Sequence, residues 1–175
     1  TFGFDMELEE ARRVIKIYRE ANYNINELWR DAQRYLQSAT AFGLKGVLEI
    51  VDGTIILPSG LKLRYEDLQF DKNDKGVEFH YKVRRGRNRI YGGKVIENVC
   101  QAIARCIIGE QMLDIAKKYR VVLTVHDSVV CCVPEEEVEE AEQYIETCMR
   151  TVPDWATGLP LDCESGVGRS YGECE

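Results

Sequence analysis

Two apolar, β-branched runs, residues 121–125 and 129–133, flank a polar triplet, His126-Asp127-Ser128. Strands of that composition bury at least one face, so the triplet between them needs a physical account. An isolated carboxylate is costly to bury unless it is paired or bound to a metal. At the tip of a hairpin, Asp127 reaches water or a cation instead. The same residues also make an ordinary turn, because Asp and Ser are good turn formers. Local spacing leaves both readings open.

Charge supplies a second candidate. Residues 79–96 contain no acid but carry Lys82, Arg84, Arg85, Arg87, Arg89 and Lys94. Residues 121–149 contain no Lys or Arg but carry Asp127 and seven Glu. With a net charge of −7 the chain is not a general nucleic-acid coat. A basic patch on an acidic body fits a local phosphate-binding surface, and equally a solvated basic loop.

The elements that must position these residues follow from periodicity. Asp5 caps a first helix over 5–21, with Leu8, Ala11, Ile15 and Tyr18 on one apolar face. Ile25, Leu28, Trp29, Ala32, Tyr35 and Leu36 mark a second helix ending near Phe42-Gly43. The two make a helical hairpin. Asp52-Gly53 between apolar runs predicts a tight β-hairpin, and Pro58-Ser59-Gly60 a further turn. Leu61, Leu63 and Tyr65 alternate with polar residues, as do Val77, Phe79, Tyr81 and Val83, around an exposed loop over 71–76. Residues 93–119 form a strongly apolar, mostly buried helix through Leu113. Pro134 and its Glu cluster open another helix to Arg150, and residues 159–167 read as a last strand.

Composition narrows the class. Hydrophobic residues make up 45% and charged residues 30%, the balance of a soluble globular protein. No run approaches the ~20 apolar residues of a membrane helix. Thr1-Phe2-Gly3-Phe4-Asp5 has neither an initiator Met nor a signal-peptide layout, which reads as a fragment or a processed piece. Seven Cys, an odd number without metal-ligand spacing, fit a reducing cytoplasm better than a disulfide scaffold.

Several of these segments together resemble one family. Val125-His126-Asp127, followed by Val133-Pro134 and the acidic helix, resembles the third polymerase motif of the family A DNA polymerases, the bacterial DNA polymerase I type and its phage relatives. Tyr91-Gly92-Gly93-Lys94-Val95-Ile96-Glu97-Asn98-Val99-Cys100-Gln101-Ala102 is similar to the preceding helix in phage and prophage members. Leu57-Pro58-Ser59-Gly60-Leu61-Lys62-Leu63 resembles a turn further upstream, and Gly166-Val167-Gly168-Arg169-Ser170-Tyr171-Gly172 the closing strand and Gly-rich tail. The ordered set spans nearly the whole chain, although each motif alone is weak.

The resemblance implies an α+β fold. A palm-type antiparallel sheet with packing helices would hold the His126-Asp127 hairpin and the last strand, after a helical hairpin from the fingers side. It treats 1–175 as one C-terminal polymerase region, with 1–43 fingers-side helices and 44–175 palm. It implies that Asp127 helps hold two Mg²⁺ ions and that His126 lies against the primer terminus. Gln101 would touch the minor groove, whose nearly degenerate acceptors suit a sequence-indifferent contact. Lys94, Arg87 and Arg89 are candidates for phosphate contacts.

The implied partners are primer-template DNA, deoxynucleoside triphosphates and a missing N-terminal polymerase segment, without a membrane, in the cytoplasm of a bacterial or phage-infected cell. There are departures. Ser128 stands where the family often has Glu, and Glu97 where bacterial members often have Asn. The family's other essential Asp and its nucleotide-binding Lys and Tyr have no counterpart here. The chain by itself is therefore expected to be inactive. The alternatives are a non-catalytic DNA-binding remnant or split subunit, and an unrelated α+β binding domain.

Overall fold

A computed structural model describes residues 6–38, 47–74 and 76–174. The architecture is α+β, as expected: a helical hairpin, then antiparallel sheets and helices. The chain forms two compact units that divide inside one helix. One takes the first two helices with residues 49–56 and 62–99; the other takes residues 57–61 and 100 onward. The division at 43/44 drawn from the resemblance follows motif boundaries, whereas this one follows packing.

In the first unit, α1 (Leu8–Ala21) and α2 (Tyr23–Ser38) meet at Asn22. The Asn26 amide bridges the break, donating to the carbonyls of Arg19 at 2.8 Å and Asn22 at 2.9 Å. The expected apolar face of α1 is present but uncovered. Leu8, Ile15 and Tyr18 are exposed, and α1 contains no buried residue. Helical periodicity specifies a face without specifying what covers it. The proposed cap Asp5 and stop Phe42-Gly43 lie outside the described residues.

Strands β1 (Glu49–Val51) and β2 (Thr54–Ile56) form the expected hairpin. Asp52 and Gly53 both have positive φ, at 48° and 69°, the signature of a type I′ turn. The Tyr35 hydroxyl donates to the Gly53 carbonyl at 2.7 Å, and burial pushes its pKa up to about 12. Strand β3 is reduced to Lys62–Leu63. The predicted 71–76 loop is instead largely a hairpin. Strand β4 (Gln69–Asn73) pairs with β5 (Gly76–Lys82), which pairs with β6 (Arg87–Ile90). Cross-strand hydrogen bonding outweighs the polar composition of that segment, since one face of so exposed a hairpin needs no apolar residues.

Helix α3 (Gly92–Ile115) begins in the first unit and ends in the second. Val95, Ile96, Val99, Cys106, Ile107 and Ile115 are buried, but Leu113 is 70% exposed. The helix is thus less enclosed than its composition predicts. In the second unit, β7 (Val121–Val125) pairs with β8 (Ser128–Cys131), and α4 (Val138–Arg150) follows a 3-10 turn over Glu135–Glu137.

The expected last strand over 159–167 does not form. That segment is tied to α4 through side chains instead. Arg150 contacts Glu146 at 2.6 Å and Asp162 at 2.8 Å, and donates to the Cys163 carbonyl at 3.0 Å. The Ser165 hydroxyl lies 2.7 Å from Glu142 and 2.6 Å from Glu146. These contacts hold the Glu146 and Asp162 carboxyls below their ordinary pKa range, through Ser165 and Arg150 respectively.

Candidate functional site

His126 and Asp127 are the two central residues of the β7–β8 hairpin, with Val125 opposite Ser128. Both are exposed. His126 has φ of 54°, and Asp127 has no positive φ. Positive φ at the first central position alone is the sign pattern of a type II′ turn, usually occupied by Gly. A His there carries backbone strain of about 1–2 kcal/mol.

The hairpin beneath this tip is anchored. Val121, Val129, Cys131 and Val133 pack on a buried cluster of Ile115, Tyr119, Ala141 and Cys148. A shift in pairing between Val121 and Leu123 marks a β-bulge, which sharpens the local twist. Burial pushes the Cys131 thiol pKa up, so it behaves as a packing residue. All seven cysteines are free.

The Asp127 carboxylate makes neither an ion pair nor a hydrogen bond among the described residues. A solvated, unpaired carboxylate on a rigid support is chemically suited to a hard cation. Mg²⁺ needs one or two carboxylates beside substrate phosphates. Asp127 supplies one, and among the described residues no group of three or more His, Cys, Asp or Glu side chains is arranged so that it could hold a metal ion.

The basic segment is organised differently. Arg84, Arg85, Arg87 and Arg89 sit on β6 and the preceding loop, which closes with Gly86 at φ of 90°, while Lys82 ends β5 and Lys94 lies on α3. Arg87 pairs with Asp67 at 2.7 Å and also donates to the Asp67 carbonyl. This guanidinium holds the Asp67 carboxyl below its ordinary pKa. Arg89 pairs with Glu78 at 3.0 Å, and Lys94 with Glu97 at 2.6 Å. The hydrogen bond to Glu97 raises the Lys94 pKa. Arg84 and Arg85, at the loop, carry no ion pair among the described residues. With Lys82, which is likewise exposed and without an ion pair among the described residues, they are the cations of this segment most available to a phosphate.

Gln101 is exposed on α3, seven positions after Lys94. Two helical turns separate them, so both point to one side of the helix. An exposed amide needs no protein partner. The buried amide of α3 is Gln111, which donates to the carbonyls of Met149 at 2.5 Å and Thr151 at 3.3 Å. Asn98 donates to the Tyr65 hydroxyl at 3.1 Å, and burial raises the pKa of that phenol.

Sequence reasoning missed Gln33. Its side-chain oxygen accepts from the Gly92 backbone N–H at 2.7 Å, capping α3 from a helix 59 positions earlier. A Cβ on Gly92 would lie 2.1 Å from the Trp29 carbonyl oxygen. The Gly92-Gly93 pair was the available sign of so close an approach.

A DNA polymerase of Bacillus phage SP02 is 28% identical to this chain over 178 residues. The similarity covers 93% of this chain and 27% of that protein. The chain thus spans about a quarter of the length of the curated relative it matches. No family model and no solved structure matches it. No helix among the described residues is long and apolar enough to cross a membrane.

Proposed function

We propose that this chain is the part of a family A DNA-directed DNA polymerase that contributes Asp127 to a shared metal site. The observation that carries the reading is the unpaired, exposed carboxylate on an anchored hairpin tip, in a chain similar over 93% of its length to a phage DNA polymerase. The reaction is template-directed primer extension, in which a primer 3′-oxygen attacks a deoxynucleoside triphosphate and pyrophosphate leaves. Magnesium, when bound, supplies activation of that oxygen and neutralisation of the leaving group.

The chain's own residues have positioning and binding roles. Asp127 provides an oxygen ligand held in place by β7 and β8. His126 lies against the primer terminus, its ring orientation limited by the strained turn. Gln101 touches the minor groove, and Lys94, Arg87 and Arg89 contact backbone phosphate, with Arg84 and Arg85 added on the geometry above. The second carboxylate and the cations for the triphosphate come from an N-terminal polymerase segment, in the cytoplasm of a bacterial or phage-infected cell.

The test is primer extension with the purified chain, then with that segment of the same polymerase added as a separate protein. No synthesis alone and synthesis on mixing is the expected result. Synthesis by the chain alone overturns the divided site. DNA binding without synthesis under either condition supports a non-catalytic DNA-binding role instead.

A further inference from the structure

The first unit holds a further surface suited to nucleic acid, built by α1, α2 and the start of α3. One cleft, of about 700 Å³, is lined by Arg19, Trp29, Arg30, Gln33 and Tyr91, with Asn26 at its floor. A neighbouring cleft along α1 and α2 is lined by Arg12, Lys16, Arg19, Tyr23 and Arg30. Arg19, Asn26 and Arg30 belong to both, so the two are one continuous groove. Four cations line it against two carboxylates, Glu20 and Glu97, in a chain whose net charge is −7.

The state of its side chains is informative. The Arg19 guanidinium has no ion pair among the described residues. Arg12, Lys16 and Arg30 pair only with carboxylates three or four positions away on their own helices. Exposed pairs of that kind are weak and exchange readily for a phosphate. Tyr23 and Tyr91 are 61% and 52% exposed, and the half-buried Trp29 indole N–H makes no hydrogen bond among the described residues. Three aromatic rings along a cationic groove match the way single strands are held, with bases stacked on rings and phosphates on cations. A duplex keeps its base faces covered, and an acidic peptide has no flat faces to stack.

We propose that this groove binds single-stranded nucleic acid, with Arg19 on its backbone and Trp29 and Tyr91 against its bases. Taking that strand as unpaired template rests on the polymerase reading; the binding itself does not. The chain has two tryptophans, so a Trp155→Phe background leaves Trp29 as the sole indole reporter. The probe is an oligodeoxythymidylate of about 12 nucleotides, within the usual site size for single-strand grooves. Its affinity is also measured by fluorescence anisotropy on the natural chain.

Expected results are quenching of Trp29 and a loss of affinity of about tenfold or more in both Arg19→Glu and Tyr91→Ala. Arg19→Glu should also lower the slope of log affinity against log salt by about 0.7. Absence of quenching, unchanged affinity in Arg19→Glu, or equal binding of poly-glutamate or of a duplex overturns the proposal. Neither readout involves synthesis. Quenching without restored primer extension counts against the polymerase reading alone, and the reverse result counts against this groove alone.

Discussion

The hairpin tip and the basic sheet are both polar, exposed and turn-borne, yet their charges are in opposite states. Asp127 has no partner among the described residues and stands on strands packed against a buried cluster. Arg87 and Arg89 are held by Asp67 and Glu78 on a largely exposed sheet. An unpaired charge on a rigid base keeps its full capacity for a ligand. A charge already paired must give up one partner for another. Asp127 is therefore the group whose loss matters most for chemistry, while Arg87 and Arg89 contribute partly to the sheet itself.

The comparison breaks first at Asp127. In a polymerase containing this chain, Asp127→Asn should reduce the primer-extension rate on the order of 10³-fold, about 4 kcal/mol of transition-state stabilisation. Primer-template affinity should hardly change. Equal rates in single-turnover measurements would remove Asp127 from the site.

The rigidity half of the contrast is tested beneath the tip. Ile115 is fully buried in the cluster that carries the hairpin, so Ile115→Ala should cost about 2–5 kcal/mol in denaturant unfolding. A loss under about 1 kcal/mol would mean that the hairpin is not supported from there.

The difference between free and paired cations sharpens on salt titration. Replacing both Arg84 and Arg85 with Glu should reduce the salt slope of duplex binding by about 2, near 0.9 for each lost phosphate contact. Reversing Arg87 and Arg89 should flatten the slope less and lower thermal stability more. The opposite ranking would show that the carboxylate partners are displaced without consequence.

At the turn itself, His126→Gly removes the strained side chain but adds freedom to the unfolded chain. Stability should move by less than about 1 kcal/mol, while extension slows. A large stability loss would give His126 a packing role that its exposure does not indicate.

The smallest effect concerns Asp67, whose carboxyl is held below its ordinary value of 3.8 by Arg87. A lowered folded-state value stabilises the fold above the unfolded value and ceases to do so as pH falls through the folded value. The stability gap between the natural chain and Arg87→Ala should therefore be complete near neutral pH and narrow at acid pH below 3.8. A gap independent of pH would assign the contribution of Arg87 to its bond with the Asp67 carbonyl.

Much of this was legible in the residues because it is local. Asp52-Gly53 specifies its turn through two positive φ angles. The change from β-branched to polar residues at His126 places the tip, and alternation recovers β5. The two flanking runs singled out Asp127, but left a plain turn and a metal ligand both open until the ordered motifs were read together. What failed was of another kind. The apolar stripe of α1 revealed its direction but not that it stays exposed, and the 71–76 segment was polar enough to hide a hairpin.

The remaining facts depend on groups far apart in sequence. Arg87 finds Asp67 twenty positions away, and Gly92 finds Gln33 across 59. The 159–167 segment is drawn to α4 by Arg150 rather than entering a sheet. Turn type and helical periodicity are settled by neighbouring residues, whose conformational energies hardly depend on the rest of the chain. Whether a given cation is paired or free, and whether an apolar face is covered, is settled only when register and packing bring distant groups within a few ångströms. For that reason the candidate carboxylate could be named from the sequence, while the binding capacity of the arginines was decided by the fold.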